Sequence, residues 1–219
     1  MMLKDKVAVV YGAGGAVGGS VARAFAREGA RVFVTGRHRE PVDAIGSTDP
    51  FILGVPLVDL PLEKFSVPIT SYTKSYFLTA RLAARRMLPN RSGVIMTVTT
   101  LHSRTGLPLA GGIRPVPGRQ ESLTRQLSAE LSPHGIRVVG LRPQAMPESL
   151  GSRRRFYESR APSSGMTWEQ FQGALASRTH PRRLLTLDEM SNVAAFMASD
   201  TASVMTGTSV NLTLGSLDD

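Results

Sequence analysis

Residues 6–37 read KVAVVYGAGGAVGGSVARAFAREGARVFVTGR, and no other stretch of this chain restricts its fold as tightly. A β-branched run over 6–11 ends at a turn in which glycine occupies 12, 14, 15, 18 and 19. Helical periodicity follows over 17–28, with Val17, Val21, Ala24 and Phe25 on one face, and a second β-branched run fills 31–35. Two strands joined by a crossover helix must pair in parallel. A turn this tight needs residues without Cβ, and it leaves the backbone N–H groups of a helix N-terminus, with their partial positive charge, open to an anion. The spacing therefore points to a phosphate cradle built from Gly12, Gly14, Gly15, Ala16, Val17 and Gly18.

The remaining sequence continues the alternation. Further strands are expected at 93–99, 136–141 and 208–213, and helices at 66–88 and 120–131, the latter stopped by Pro133 and Gly135. Thr167 with Gln170, and Thr186 with Glu189, have capping-box spacing, so helices are predicted to begin at Trp168 and Leu187. Residues from about 144 to 180, with Pro, Ser, Gly and the basic run Arg153–Arg155, read as a substrate-loop insertion over the carboxyl edge of the sheet. The fold class is α/β, a mainly parallel sheet flanked by helices, in one domain spanning 1–219.

Composition excludes several function classes. Without cysteine there is no disulfide, thiolate chemistry or Cys-ligated metal, and His38, His102, His134 and His180 lack metal-ligand spacing, so no metal is expected. No apolar run is long enough to span a membrane and no signal peptide is recognised, which reads as cytoplasmic. The net charge of +9 comes from 22 arginines and 4 lysines against 17 acidic residues, with no nucleic-acid-binding motif beside it. Nucleic acid is accordingly not the expected partner.

The end of the second strand selects between nicotinamide cofactors, because a carboxylate there bonds a ribose 2′-OH whereas a cation accommodates a 2′-phosphate. The chain has TGRHR, so Thr35 and Arg37, with Arg39 nearby, favour NADP(H) over NAD(H).

Beyond the glycine loop, GVIMTVTTLHS, LSAELSPHGIRVVGLRP and TLDEMSNVAAFMASDTASVMTGTSVNLTLG resemble the short-chain dehydrogenase/reductase family over nearly the whole length. Tyr11 and Ala16, where TGxxxGxG is commoner, are similar to divergent members such as enoyl-thioester reductases. The resemblance implies a Rossmann-like doubly wound sheet and hydride transfer between NADP(H) and a carbonyl, alcohol or activated alkene. It implies a small-molecule substrate, and Met146, Phe156, Tyr157, Met166, Trp168 and Phe171 would suit a lipophilic one. It places Pro143 at the cofactor and Ser103 on the substrate oxygen, and it implies a homo-oligomer, dimer or tetramer, through the helix at 66–88.

The same resemblance exposes two irregularities. A catalytic Tyr and Lys should fall on Ile113 or Val116 and on Gln120, yet none of these titrates; a phenol with a pKa of about 10 needs a neighbouring cation to act as a base near neutrality. The Asn of the family's proton relay corresponds to Tyr72. Tyr72, Lys74 and Tyr76 are the nearest substitutes, but neighbours two apart on a helix diverge. A codon reading accounts for the loss. With ATA at Ile113, a one-base forward shift permits Tyr-Gly-Pro-Ser-Leu-Ala-Ala-Lys over 113–120, so two compensating shifts would erase a Tyr-x6-Lys pair. The second irregularity is a gap. Asp43–Gly46 resembles the family's NNAG motif, so one or two family strands are missing between residues 37 and 43; Phe51–Leu60 is the candidate replacement strand, with Asp59 a potential adenine contact.

Overall fold

A computed structural model describes residues 1–36, 55–106, 108–150 and 166–218. Arg37, the 37–43 gap and residues 51–54 of the proposed replacement strand lie outside the described residues, as does the basic run at 153–155; the rest of that replacement, 55–60, contains the 3-10 turn Leu57–Asp59 and no strand. Five strands and five α-helices are described: β1 Val7–Tyr11, α1 Ala16–Arg27, β2 Arg31–Thr35, α2 Leu62–Met87, β3 Gly93–Val98, α3 Pro115–Leu131, β4 Ile136–Pro143, α4 Trp168–Ala176, α5 Leu187–Ala198 and β5 Ser209–Leu212. This is the α/β alternation that the sequence predicts. Between Thr35 and Gly93 the described residues contain short 3-10 turns and α2, and no strand.

The chain forms two compact units. One comprises the described parts of Met1–Ser47, Pro143–Ala202 and Leu212–Asp219. Its two-stranded sheet pairs β1 with β2 in parallel, from Val7 opposite Arg31 to Tyr11 opposite Thr35. Val21, Ala24 and Phe25 of α1 are buried, and α1 packs along α5, where Ser20 Oγ lies 3.0 Å from Ser191 Oγ and Arg27 donates to Asn192 Oδ1 at 2.6 Å. Val7, Val9 and Tyr11 alternate along one face of β1 and remain 52–68% exposed. Strands of a parallel sheet are ordinarily covered on both faces, whereas this face of β1 is exposed.

The second unit comprises the described parts of Thr48–Arg142 and Ser203–Asn211. Its sheet has the order β3-β4-β5, with Gly93 opposite Ile136 through Val98 opposite Leu141 in parallel. Tyr76, Ala80 and Ala84 of α2 meet Ile95, Leu131, Ile136 and Val138 in its core. The apolar faces of α2 and α3 thus cover a strand pair rich in β-branched residues, as hydrophobic burial requires.

Two helix starts differ from expectation. Helix α2 begins at Leu62 rather than 66, after Pro61 as its N-cap, and continues through the buried Pro68. Helix α3 begins at Pro115 rather than 120. Proline is accommodated there because the first helical N–H groups have no intrahelical partner in any case. Both capping boxes form as predicted, Thr167 with Gln170 and Thr186 with Glu189. Helix α3 gives way to the 3-10 turn Ser132–His134 and to Gly135 at φ 74°, where the sequence places its stop.

Candidate functional site

The glycine loop is held by its neighbours in sequence and by the end of β2. Gly12 adopts φ 74°, and both Gly12 and Ala13 donate backbone hydrogen bonds to the Thr35 carbonyl, at 3.0 and 3.2 Å. Gly15, the α1 N-cap, has no side-chain cap, and the first turn of α1 contains no acidic residue. The site is therefore electropositive and unblocked, with Gly12, Gly14, Gly15 and Ala16 exposed. A Cβ at Gly18 would lie 2.5 Å from the Gly12 carbonyl oxygen. Only glycine lets the helix start pass that close to the loop. Val17 and Thr35 are half-buried beside it, and Pro143 is buried at the end of β4. Arg37, the expected 2′-phosphate contact, lies outside the described residues.

In the other unit, β3 leads to a 3-10 turn, Leu101–Ser103. The Thr100 hydroxyl accepts the His102 backbone N–H at 3.3 Å and caps that turn. Ser103 Oγ is buried, with the Glu121 carboxylate near enough for its hydroxyl to help lower that group's pKa. His102 lies in the same turn and is half-buried; burial and then the charge of Arg114 lower its pKa from 6.5 to about 4. The imidazole is neutral at physiological pH.

The expected proton-transfer positions are confined to α3 and the turn before it. Gly112 packs against the Phe65 backbone, which fixes the turn Gly111–Ile113 on the first residues of α2. Ile113 and Gln120 are half-buried and Val116 is buried. None of the three carries a group that takes or gives a proton near neutrality. Tyr76 does not substitute for them. Its hydroxyl lies 2.9 Å from Thr124 Oγ1, and burial, partly opposed by that bond, pushes the phenol pKa up. Tyr72 is half-buried and Lys74 exposed.

Sequence reasoning missed the charged cluster next to Gln120. Glu121 and Arg142 are each 3% exposed, and Arg142 donates through Nε and Nη2 to the two carboxylate oxygens at 2.9 and 3.0 Å. Thr99 Oγ1 adds a bond to Glu121 Oε1 at 3.1 Å. Burial pushes the Glu121 pKa up, but Arg142, the nearby Ser103 hydroxyl and Thr99 more than offset it, so the carboxyl lies below its ordinary value. The signal available in sequence was the arginine that ends the apolar run VVGLR, since a cation in a buried strand needs a partner. Through this pair the first turns of α3 are fastened to the carboxyl end of β4. Among the described residues no cluster of side chains suits a metal ion, and no helix is long and apolar enough to cross a membrane.

Comparison with known proteins gives these features a context. A family model described as Enoyl-(Acyl carrier protein) reductase matches residues 40–216. Xanthoxin dehydrogenase of Arabidopsis thaliana is 29% identical over 164 residues, 71% of this chain and 55% of that protein. Sorbitol-6-phosphate 2-dehydrogenase of Klebsiella pneumoniae is 31% identical over 144 residues, 65% of this chain and 54% of that protein. The chain thus spans about half the length of these relatives. The structure of a gluconate 5-dehydrogenase from Burkholderia cenocepacia, in complex with NADP and tartrate, superposes with a TM-score of 0.79 at 19% identity, covering 98% of this chain and 95% of that one.

Proposed function

Because the chain belongs to the short-chain dehydrogenase/reductase family, we propose that it is an NADP(H)-dependent oxidoreductase whose proton-transfer machinery is impaired. The observation that carries this reading is the glycine loop, in which the close passage of Gly18 under Gly12 leaves an uncapped helix N-terminus facing an exposed cradle. Gly12, Gly14, Gly15, Ala16, Val17 and Gly18 hold the pyrophosphate, Thr35 and Arg37 the adenosine ribose and its 2′-phosphate, and Pro143 borders the nicotinamide. When bound, the nicotinamide supplies or accepts a hydride. Ser103 offers its hydroxyl to the substrate oxygen. The substrate is a small molecule bearing a carbonyl, alcohol or activated alkene. The chain acts as one domain and assembles as a homo-oligomer, with the exposed Phe77, Leu78 and Leu82 of α2 available to a second copy.

A second reading is favoured by the side chains at Ile113, Val116 and Gln120. Lacking any proton donor or acceptor of suitable pKa, the chain retains nucleotide binding without turnover. Titration of NADPH and NADH against the fluorescence of Trp168, the single tryptophan, followed by a carbonyl and enoyl substrate panel, separates the two. Saturable NADPH binding tighter than NADH, with measurable oxidation, supports the enzyme. Binding without oxidation supports the second reading, and absence of nucleotide binding overturns both.

A further inference from the structure

The turn Leu101–Ser103 carries a second polar side chain beside Ser103, that of His102. Helix α3, with Gln120, packs on this turn, and a β-carbon at Gly118 would lie 3.9 Å from the Ser103 carbonyl. The two nitrogens of the half-buried His102 ring are not equivalent. Nδ1 lies 3.3 Å from Thr105 Oγ1, and that hydroxyl donates its one hydrogen to the Leu101 carbonyl at 3.4 Å. A carbonyl only accepts, so Thr105 is left to accept from the ring. Nδ1 is therefore the protonated nitrogen of the neutral imidazole, and Nε2 carries the lone pair. Among the described residues, no hydrogen bond takes up that lone pair. Burial, and then the charge of Arg114, the α3 N-cap, disfavour the imidazolium. Of the other charges nearby in the chain or on α3, Arg104 and Arg119 are exposed and Glu121 is bound to Arg142. Nε2 thus remains an acceptor at neutral pH.

We propose that His102 Nε2 takes the substrate proton in this chain, in place of the absent tyrosine; the inference rests on the cofactor reading above. Nε2 accepts the hydroxyl proton of a secondary alcohol while the electron pair of the adjacent C–H bond leaves as hydride to the oxidised nicotinamide. The O–H and C–H bonds break, the C=O bond forms, and the imidazolium returns its proton to water from a ring that is only half-buried. Thr105, by holding Nδ1–H, is a positioning residue that keeps the lone pair on Nε2. Burial and Arg114 also weaken Nε2 as a base, which agrees with turnover that is reduced and not abolished.

Two measurements on the full chain test this. Ring ¹⁵N NMR at neutral pH without cofactor, with the His102 signals identified by their absence in His102→Gln, should show the proton on Nδ1 and a bare Nε2. A proton on Nε2 overturns the inference whatever the activity. The second measurement is oxidation of 2-propanol, cyclohexanol and 2-octanol with NADP⁺. His102→Gln should lower turnover about 10²-fold, the lower range for a positioned base, with NADP⁺ affinity unchanged. In His102→Ala, imidazole added to the buffer should restore turnover. Turnover that neither substitution affects, or a loss that imidazole does not restore, overturns the inference and leaves the cofactor reading standing. If both His102 variants lose NADP⁺ as well, their fold is disturbed and Thr105→Val decides. Freeing the ring there should lower turnover about tenfold, the worth of one hydrogen bond, and no change overturns the inference. A wild type that binds NADP⁺ but oxidises none of the three alcohols overturns the inference alone. If no nucleotide binds the wild type, the cofactor reading fails and the inference with it.

Discussion

Gly18 passes beneath Gly12 so closely that a β-carbon at 18 would stand 2.5 Å from the carbonyl oxygen at 12. That oxygen accepts the Gly15 N–H at 3.0 Å, so displacing it unravels the turn that presents the cradle. Gly18→Ala should destabilise the chain by about 1–3 kcal/mol through overpacking and weaken NADPH binding at least about tenfold. Gly15→Ala is the control. Its β-carbon would meet the same oxygen at an ordinary 3.5 Å, and φ −85° suits any residue. Its stability should stay within about 1 kcal/mol of wild type. Equal losses in thermal denaturation for the two variants would contradict the steric account.

The Glu121–Arg142 pair predicts both a mutational and a pH effect. Removing one partner strands a buried charge, so Arg142→Met should cost about 3–5 kcal/mol. Because the folded-state pKa of Glu121 is lowered, the pair contributes fully above the unfolded carboxyl value of about 4.3. That contribution is lost as pH falls through the lower folded value. Glu121→Gln should therefore be less stable than wild type at neutral pH, with the difference shrinking in acid. Urea denaturation at pH 7 and pH 3 measures it; a difference that stays constant would show that the carboxylate charge plays no part.

His102 titrates in the opposite chemical sense but with the same outcome in acid. Its folded pKa is lowered from 6.5 to about 4, so the unfolded chain binds the extra proton first. Stability from keeping the ring neutral is complete above pH 6.5 and declines as pH falls towards 4. Histidine ring proton shifts followed by NMR should show a neutral His102 at pH 6. Arg114→Ala should raise its pKa only part of the way, since burial is the larger cause; complete recovery to 6.5 would reverse that order.

The local patterns were legible because each rests on neighbours in sequence. Strand β2 and both capping boxes fall where periodicity and cap chemistry put them, and Gly12 and Gly18 have the backbone and clearance that their spacing implies. What the sequence hid was long-range. Glu121 looks like an ordinary polar residue of an amphipathic helix until α3 folds back over β4 and brings Arg142 to it. Helix α3 starts five residues earlier than the sequence pattern places it. Pro115 and Pro117 lie in its first turn, where they remove only N–H groups that lack intrahelical partners.

Ile113 and Gln120 are seven residues apart, about two helical turns, and both are half-buried, on the turn that precedes α3 and on its second turn. They occupy the expected ends of a Tyr-x6-Lys pair. If compensating shifts erased that pair, the scaffold around it should still accept it. The neighbouring position Gly118 is consistent, since a β-carbon there would meet nothing closer than the Ser103 carbonyl at 3.9 Å, as the alanine of the shifted reading requires. The double variant Ile113→Tyr, Gln120→Lys should therefore bind NADPH as the wild type does. It should raise turnover on the carbonyl and enoyl panel by about 10²-fold or more, the lower range for a positioned acid/base. Neither single variant should do so, because the phenol needs the lysine to lower its pKa and the lysine alone lacks the phenol that exchanges the proton with the substrate. Retained binding without any gain in turnover would show that the rest of the site has diverged as well. The coding DNA provides the independent check: the codon for Ile113 must be ATA, and any other isoleucine codon excludes the shifted reading.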